Sequence, residues 1–291
     1  MPSPYTRLIT PAQLQALQAS GAPLRVFDCS SELGNPAKAD ELFHSARIAG
    51  AVQAHLERHL SAHDSTHALN GGRHPLPPRE HFARTLQALG FDNAMQAVVY
   101  DRNGNSSCGR LWWMLKWAGH DAVAVLDGGL AAWQAAGGAM HSGPAPAPAP
   151  GRFGLQAPLR TLRLIDDVRQ HLHSPAQTLI DARAAPRYRG ETEPLDPVAG
   201  HIPGALNRPF ADNFMPDGRF KPAAQLRREF DTLLAGRDPG SVVAYCGSGV
   251  SAVPNLIAME LAGYPPPALY AGSFSEWSRT PGLPVARGSQ Q

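Results

Sequence analysis

Residues 242–252 read VVAYCGSGVSA: an apolar, β-branched run that ends in Cys246, then two glycines, two serines and no charge before a helix-like pattern resumes. A cysteine at a strand tip before such a loop is suited to nucleophilic sulfur chemistry. Glycine permits the unusual backbone angles of a tight loop. The loop then turns successive N–H groups inward as an anion-binding nest, and the helix that follows adds the positive end of its dipole. Both favour thiolate over thiol, and the thiolate is the nucleophile. The expected binding groups are therefore the loop residues Gly247, Gly249, Val250 and Ser251, with Ser248 among them. A buried structural cysteine is the plainer alternative. Strand end, double glycine and helix start together argue against it.

The elements that must position this loop occur twice. Residues 98–120 (VVYDRNGNSSCGRLWWMLKWAGH) match residues 243–264 (VAYCGSGVSAVPNLIAMELAGY) as strand, loop, helix and Ala-Gly-aromatic. LDGGLAAW (126–133) and YAGSFSEW (270–277) follow with the same Gly-to-Trp spacing. Upstream, RVFDCSSE pairs with TLIDARAA, and ARIAGA with GHIPGA. An identical order of landmarks marks two copies of one domain. Each copy alternates short apolar strands (RVFD, AVVY and AVAVLD; TLID, VVAY and PALY) with helix-period segments. That alternation predicts two α/β domains, each a mainly parallel sheet with helices on both faces. The expected bounds are 1–143 and 158–291. The Pro/Ala-rich stretch 144–157 favours extended polyproline and serves as linker. Sites in such sheets form at the carboxyl ends of strands, which is where Cys246 falls. The helix after its loop is expected from Ser251 to Leu261, with Ser251 as N-cap, Pro254 in the first turn and Gly263 as stop.

The first copy supplies an internal control. Aligning Tyr100 with Tyr245 puts Asp101 opposite Cys246. A carboxylate cannot form a persulfide, and as an anion it would itself occupy the nest. Cys108 falls at or inside the following helix. The first copy is expected to be an inactive scaffold and the second to carry the chemistry.

Composition excludes other classes. The net charge is +2 over 291 residues, too little for nucleic acid or an anionic membrane as main partner. Three cysteines make no disulfide framework and fit a reducing compartment. The N-terminus MPSPYTRLIT has no apolar core region, so a cytoplasmic protein without membrane spans is expected.

The tandem pattern, GHIPGAL, DGG…W and above all CGSGVSA resemble the two-domain rhodanese family. The loop is most similar to that of the family's mercaptopyruvate sulfurtransferases, with Ser251 where they carry threonine. The resemblance implies transfer of a sulfane sulfur from a small-molecule donor to a thiophilic acceptor (a thiol, cyanide or sulfite, or a thioredoxin-like protein) through a persulfide on Cys246. It implies no cofactor. It points to Ser248 and to His74, in GGRHPLPP, as groups that supply or orient a proton for the departing enolate. It also points to Glu57, where the family has aspartate. It assigns Arg187, with Arg189 nearby, to the donor's anionic end; a planar guanidinium suits a carboxylate, although an arginine here could equally pair with Glu191 or Glu193. The family's mercaptopyruvate enzymes carry a second arginine in the stretch that reads ETEPLDPVAG here, without one. Thiosulfate enzymes carry basic residues directly after the cysteine, where this chain has Gly247 and Ser248. The neutral loop touches the reacting sulfur, so mercaptopyruvate is the expected donor and thiosulfate the alternative, with a sulfur-relay protein as a further alternative.

Other signals are discounted. His55, His59, His63 and His67 recur every fourth residue, but Asp64-Ser65-Thr66 interrupts any helix and no metal is expected. Trp112, Trp113 and Trp117 are expected to pack, Asp28 and Asp181 to cap turns, and His201 to be a hydrogen-bonded core histidine. A phosphatase of the related cell-cycle type needs a longer loop ending in arginine, where this chain has Ser251 and Ala252.

Overall fold

The computed structural model describes residues 3–32, 34–64, 67–102 and 104–289. Its strands are β1 (Leu8–Ile9), β2 (Leu24–Asp28), β3 (Arg47–Ile48), β4 (Val52–Gln53), β5 (Gln96–Tyr100), β6 (Val123–Leu126), β7 (Met140–His141), β8 (Leu162–Arg163), β9 (Thr178–Asp181), β10 (Leu206–Asn207), β11 (Val242–Tyr245) and β12 (Ala268–Tyr270). They build two compact units that are not contiguous in sequence. One comprises the residues up to Ala62, Pro77–Leu159 and Met215–Phe220; the other comprises His63–Leu76, Arg160–Phe214 and the chain from Lys221 onward.

The first unit holds a parallel sheet in the order β1-β6-β5-β2-β4, beside an antiparallel β3-β7 pair. The second holds a parallel sheet in the order β8-β12-β11-β9-β10. Position for position the two orders are the same, as a duplicated unit requires. The central strands QAVVY and VVAY are buried along their whole length. A sheet covered by helices on both faces needs such continuous apolar runs. Tyr100, Trp133 and Ile48 anchor one core; Tyr245, Trp277 and Ile202 anchor the other. Trp112 and Trp113 are fully buried on the helix Ser106–Trp117, and Trp113 stacks on Trp117 with ring centroids 5.6 Å apart.

Two expectations about local structure change. The helix after the cysteine loop runs Val253–Leu261, and Ala252, without a side-chain cap, stands at its N-cap position rather than Ser251. The reason is the turn before it, where Val253 N–H bonds the Val250 carbonyl at 3.3 Å and takes up the residues a cap would use. Pro254 does lie in the first turn. Gly263, at φ +83°, ends the helix in the left-handed conformation that glycine tolerates. Residues 142–161 contain neither helix nor strand. Their second half is nonetheless tied to the first unit: Gly151 N–H bonds the Gln87 carbonyl at 2.8 Å and buried Phe153 stacks on Phe91 at 5.7 Å.

Asp28 and Asp181 each cap the turn that follows their strand, accepting from Ser30 N–H (2.8 Å) and Arg183 N–H (2.9 Å). His201 is buried, stacks on Tyr188 at 3.8 Å and places Nδ1 2.7 Å from the Tyr188 carbonyl. In the histidine series, His59 Nδ1 accepts from His55 N–H at 2.9 Å and His67 pairs with Asp64 at 2.8 Å. Ser65 and Thr66 lie outside the described residues. No described helix is long and apolar enough to cross a membrane.

Candidate active site

Cys246 follows the central strand of the second sheet and is 1% exposed. Its peptide group is fixed from the neighbouring strand tip. Cys246 N–H donates to Ser273 Oγ (3.1 Å), which donates in turn to the Tyr270 carbonyl (2.9 Å). The Cys246 and Gly247 carbonyls accept from Phe274 N–H (3.0 Å) and Ser275 N–H (2.8 Å). In a trans peptide C=O and N–H point opposite ways. The N–H groups of Gly247 and Ser248 therefore point away from the helix Ser273–Trp277. Among the described residues, the amides of Gly247, Ser248, Val250 and Ser251 donate to no backbone carbonyl. Gly249 has φ +73°, and a Cβ there would collide with the Ala271 carbonyl, so the loop requires glycine at this point.

His74 belongs to the same compact unit as Cys246, because the segment His63–Leu76 packs with the second sheet. Gly71 N–H bonds Glu276 (2.6 Å), Arg73 N–H bonds Ser275 Oγ (3.1 Å), and His74 Nδ1 lies 2.7 Å from Ser248 Oγ. His74 and Ser248 are both buried, two residues along the loop from the sulfur. With Nδ1 unprotonated the serine hydroxyl donates to the ring; with Nδ1 protonated the ring donates to Oγ. Glu57 is half-buried on the short helix Leu56–His59 of the other unit, where its N–H bonds His55 Nδ1 at 3.1 Å.

Arg187 joins an ion-pair network beside the loop. Its guanidinium meets Glu193 at 2.6 Å and Asp196 at 3.3 Å. Asp196, whose side chain is fully buried, also accepts from Arg73 and from Arg279 (2.9 Å). Burial alone would raise the Glu193 carboxyl, but the Arg187 hydrogen bond and the Leu195 and Asp196 amides hold it below its usual range. Arg183 pairs with Asp181 (2.6 Å) and Glu193 (3.2 Å) and lies 3.9 Å over the Phe274 ring. Arg189 is instead paired with Glu191 at 2.6 Å on the surface. The guanidiniums that flank the cysteine loop are those of Arg73 and Arg187: a Cβ placed on Gly247 would lie 2.6 Å from Arg73 Nη2 and 3.6 Å from Arg187 Nη1. Sequence reasoning missed Arg73, Asp196, Arg279 and Ser273. The first was legible as the neighbour of His74, and the last as the residue opposite Gly129 in the repeat.

Comparison with known proteins gives the family. The model of the rhodanese-like domain matches twice, at residues 10–136 and 164–280. The chain belongs to the rhodanese family. A relative from Pseudomonas aeruginosa named "Probable 3-mercaptopyruvate sulfurtransferase" is 47% identical, covering 97% of this chain and 98% of that one. A Mycobacterium tuberculosis relative named "Putative thiosulfate sulfurtransferase SseB" is 36% identical, covering 97% of each. The solved 3-mercaptopyruvate sulfurtransferase from Leishmania major superposes with a TM-score of 0.83 at 28% identity, covering 97% of this chain and 77% of that one.

In the first rhodanese domain the position of Cys246 is held by Asp101, 1% exposed. Its carboxylate accepts from Asn105 N–H (2.9 Å) and Cys108 N–H (3.0 Å). The anion that this loop binds is its own side chain. The domain's two thiols are kept protonated: burial first, then the Asp101 charge, pushes Cys29 and Cys108 well above the usual cysteine range.

Proposed function

We propose that this protein is a 3-mercaptopyruvate sulfurtransferase whose second domain carries the reaction on Cys246 and whose first domain is a scaffold. The observation that carries this reading is the 2.7 Å pair of His74 Nδ1 and Ser248 Oγ in the loop that begins at Cys246. A mercaptopyruvate donor releases an enolate, which needs a proton; thiosulfate releases sulfite, which does not. The pair also gives the neutral Gly247-Ser248 loop a purpose.

The Cys246 thiolate attacks the donor's sulfur, forming the S–S bond as the donor's C–S bond breaks. The C–S electron pair leaves on carbon as pyruvate enolate. Protonation at that carbon, through Ser248 oriented by His74, gives pyruvate. An acceptor thiolate then attacks the outer sulfur and Cys246 departs as thiolate. Inward amides of Gly247, Ser248, Val250 and Ser251 stabilise the negative sulfur in both half-reactions, as preorganised donors do. A covalent intermediate implies ping-pong kinetics. Glu57 is the proposed carboxylate partner of His74. A small thiol or a thioredoxin-like protein is the proposed acceptor, and three free cysteines fit the reducing cytoplasm.

Thiosulfate is the second reading, favoured by the guanidiniums of Arg73 and Arg187 at the loop, which suit a dianion. Steady-state rates with both donors separate the two. Cys246→Ser is expected to lose at least about 1,000-fold with either donor while staying folded. A wild type faster on thiosulfate rejects the mercaptopyruvate assignment, and a serine variant that retains turnover rejects the nucleophile.

A further inference from the structure

The ion-pair network beside the loop holds more guanidiniums than carboxylates. In one network Arg73, Arg183, Arg187 and Arg279 face Asp181, Glu193 and Asp196, which leaves one positive charge in excess. Asp196 alone receives three of the four arginines. Arg73 is held by a single anionic partner through Nη1, and its Nε is buried without a hydrogen-bond partner among the described residues. An unsatisfied buried donor is costly and needs an explanation. Arg73 Nη2 stands over Gly247, at a point only 2.6 Å from where a side chain there would begin, and Arg187 approaches the same point from 3.6 Å. Glycine at 247 lets the two guanidinium forks come this close to the loop, next to the residue that carries the sulfur.

We propose that Arg73 and Arg187 together form the receptor for the donor's carboxylate, with Asp196 as the counter-ion that holds the two forks in place while the site is empty. Resting on the mercaptopyruvate reading, this assigns to Arg73 the second cation that the stretch 191–200 does not supply. Two forks converging on one carboxylate fix its orientation, since a guanidinium binds a carboxylate through paired N–H groups. The donor's sulfur is thereby held toward the loop amides. When the carboxylate binds, Arg73 Nε and Nη2 gain an acceptor without breaking the Nη1 bond to Asp196.

The test compares mercaptopyruvate with mercaptoacetone, which keeps the α-mercapto ketone and replaces the carboxylate with methyl. Loss of a hydrogen-bonded charge pair corresponds to about 10- to 100-fold. Arg73→Ala is expected to lower the ratio of kcat/KM for mercaptopyruvate over mercaptoacetone by about that factor, mainly through KM. Arg73→Lys keeps a cation on Asp196 but cannot present the fork, so it is expected to lower the ratio by a smaller amount, about 3- to 10-fold. It also covers the case in which the alanine variant fails to fold. Equal losses on both donors, or an unchanged ratio, overturn the role of Arg73. If the wild type uses thiosulfate and not mercaptopyruvate, the donor assignment falls by itself. The receptor then stands if Arg73→Ala raises the KM for thiosulfate about 10-fold or more, and falls if that KM is unchanged.

Discussion

The loops after β5 and β11 are the same device set to opposite purposes. Each follows the central strand of a five-stranded parallel sheet, and in each the first loop carbonyl accepts from the neighbouring helix: Leu130 N–H to Asp101 at 3.2 Å, Phe274 N–H to Cys246 at 3.0 Å. In the first domain the Asp101 carboxylate accepts from two amides, those of Asn105 and Cys108. A cavity of 410 Å³ lined by Asp101, Arg102 and Gly129 lies beside it, so there is room for a ligand at this loop. In the second domain Cys246 stands at that position, and among the described residues the amides of Gly247, Ser248, Val250 and Ser251 donate to no backbone carbonyl. In both contacts a left-handed residue directly precedes the donor, Gly129 at φ +58° in the first domain and Ser273 at φ +56° in the second. Serine is strained there, but its Oγ holds Cys246 N–H. At Ser273 the strained residue holds the amide of the proposed nucleophile.

If this contrast is right, it can be broken at several points. The largest effect tests whether a cysteine alone makes a site. Asp101→Cys in a Cys246→Ser background is expected to stay at least about 1,000-fold below wild type, because among the described residues nothing in the first loop repeats the His74–Ser248 pair. Persulfide found on residue 101 with recovered turnover would show that the loop by itself suffices. Next, His74→Asn should lower kcat with mercaptopyruvate by about 100- to 1,000-fold, as for a lost proton-transfer group, and with thiosulfate by less than about 10-fold. Parallel losses would remove the proton-transfer role.

Ser273→Gly restores the residue of the first domain at the same position. It relieves the left-handed strain and removes the Oγ, so a loss of roughly 3- to 10-fold in kcat is expected with no loss of thermal stability. Unaltered kcat would mean that the cysteine amide needs no clamp.

The smallest expected difference lies in acid stability. Burial, aided by Arg58 and His55, pushes His59 in the first domain down to about 4 from its ordinary 6.5. The unfolded chain binds the proton first, so this contribution is complete above pH 6.5 and is lost as pH falls toward 4. In the second domain burial would raise Glu229, but hydrogen bonds from Arg208, Lys221 and Gln225 outweigh it and hold the carboxyl at about 2 against an ordinary 4.5. That contribution is present above pH 4.5 and is lost only as pH falls toward 2. Hydrogen exchange on lowering pH should therefore report weakening of the first domain before the second, and His59→Gln should remove the earlier phase. Simultaneous loss would contradict the assignment.

Much of this molecule could be read in one dimension. Duplicated landmarks and all-apolar strands announce two parallel α/β domains, since a sheet buried on both faces leaves no polar alternation to hide it. The tip cysteine and its glycines announce the loop, since backbone conformations are local and glycine at 249 is required by a positive φ. Asp101 opposite Cys246 announces which copy keeps the nucleophile. Chain position could not reveal that residues 63–76 pack with the second sheet and bring His74 to Ser248 across 174 positions. Nor could it reveal that Arg73, rather than Arg189, stands over Gly247 beside Arg187. The turn at 250–253 that displaces Ser251 from the helix start was hidden for a similar reason, because a cap and a turn use the same residue types. Sequence determined the local conformations and the pattern of burial, because those depend on neighbours in the chain. Tertiary structure decided which charges meet, because a guanidinium at the end of a long side chain takes its partner from whatever packing brings within about 4 Å, at any separation in sequence.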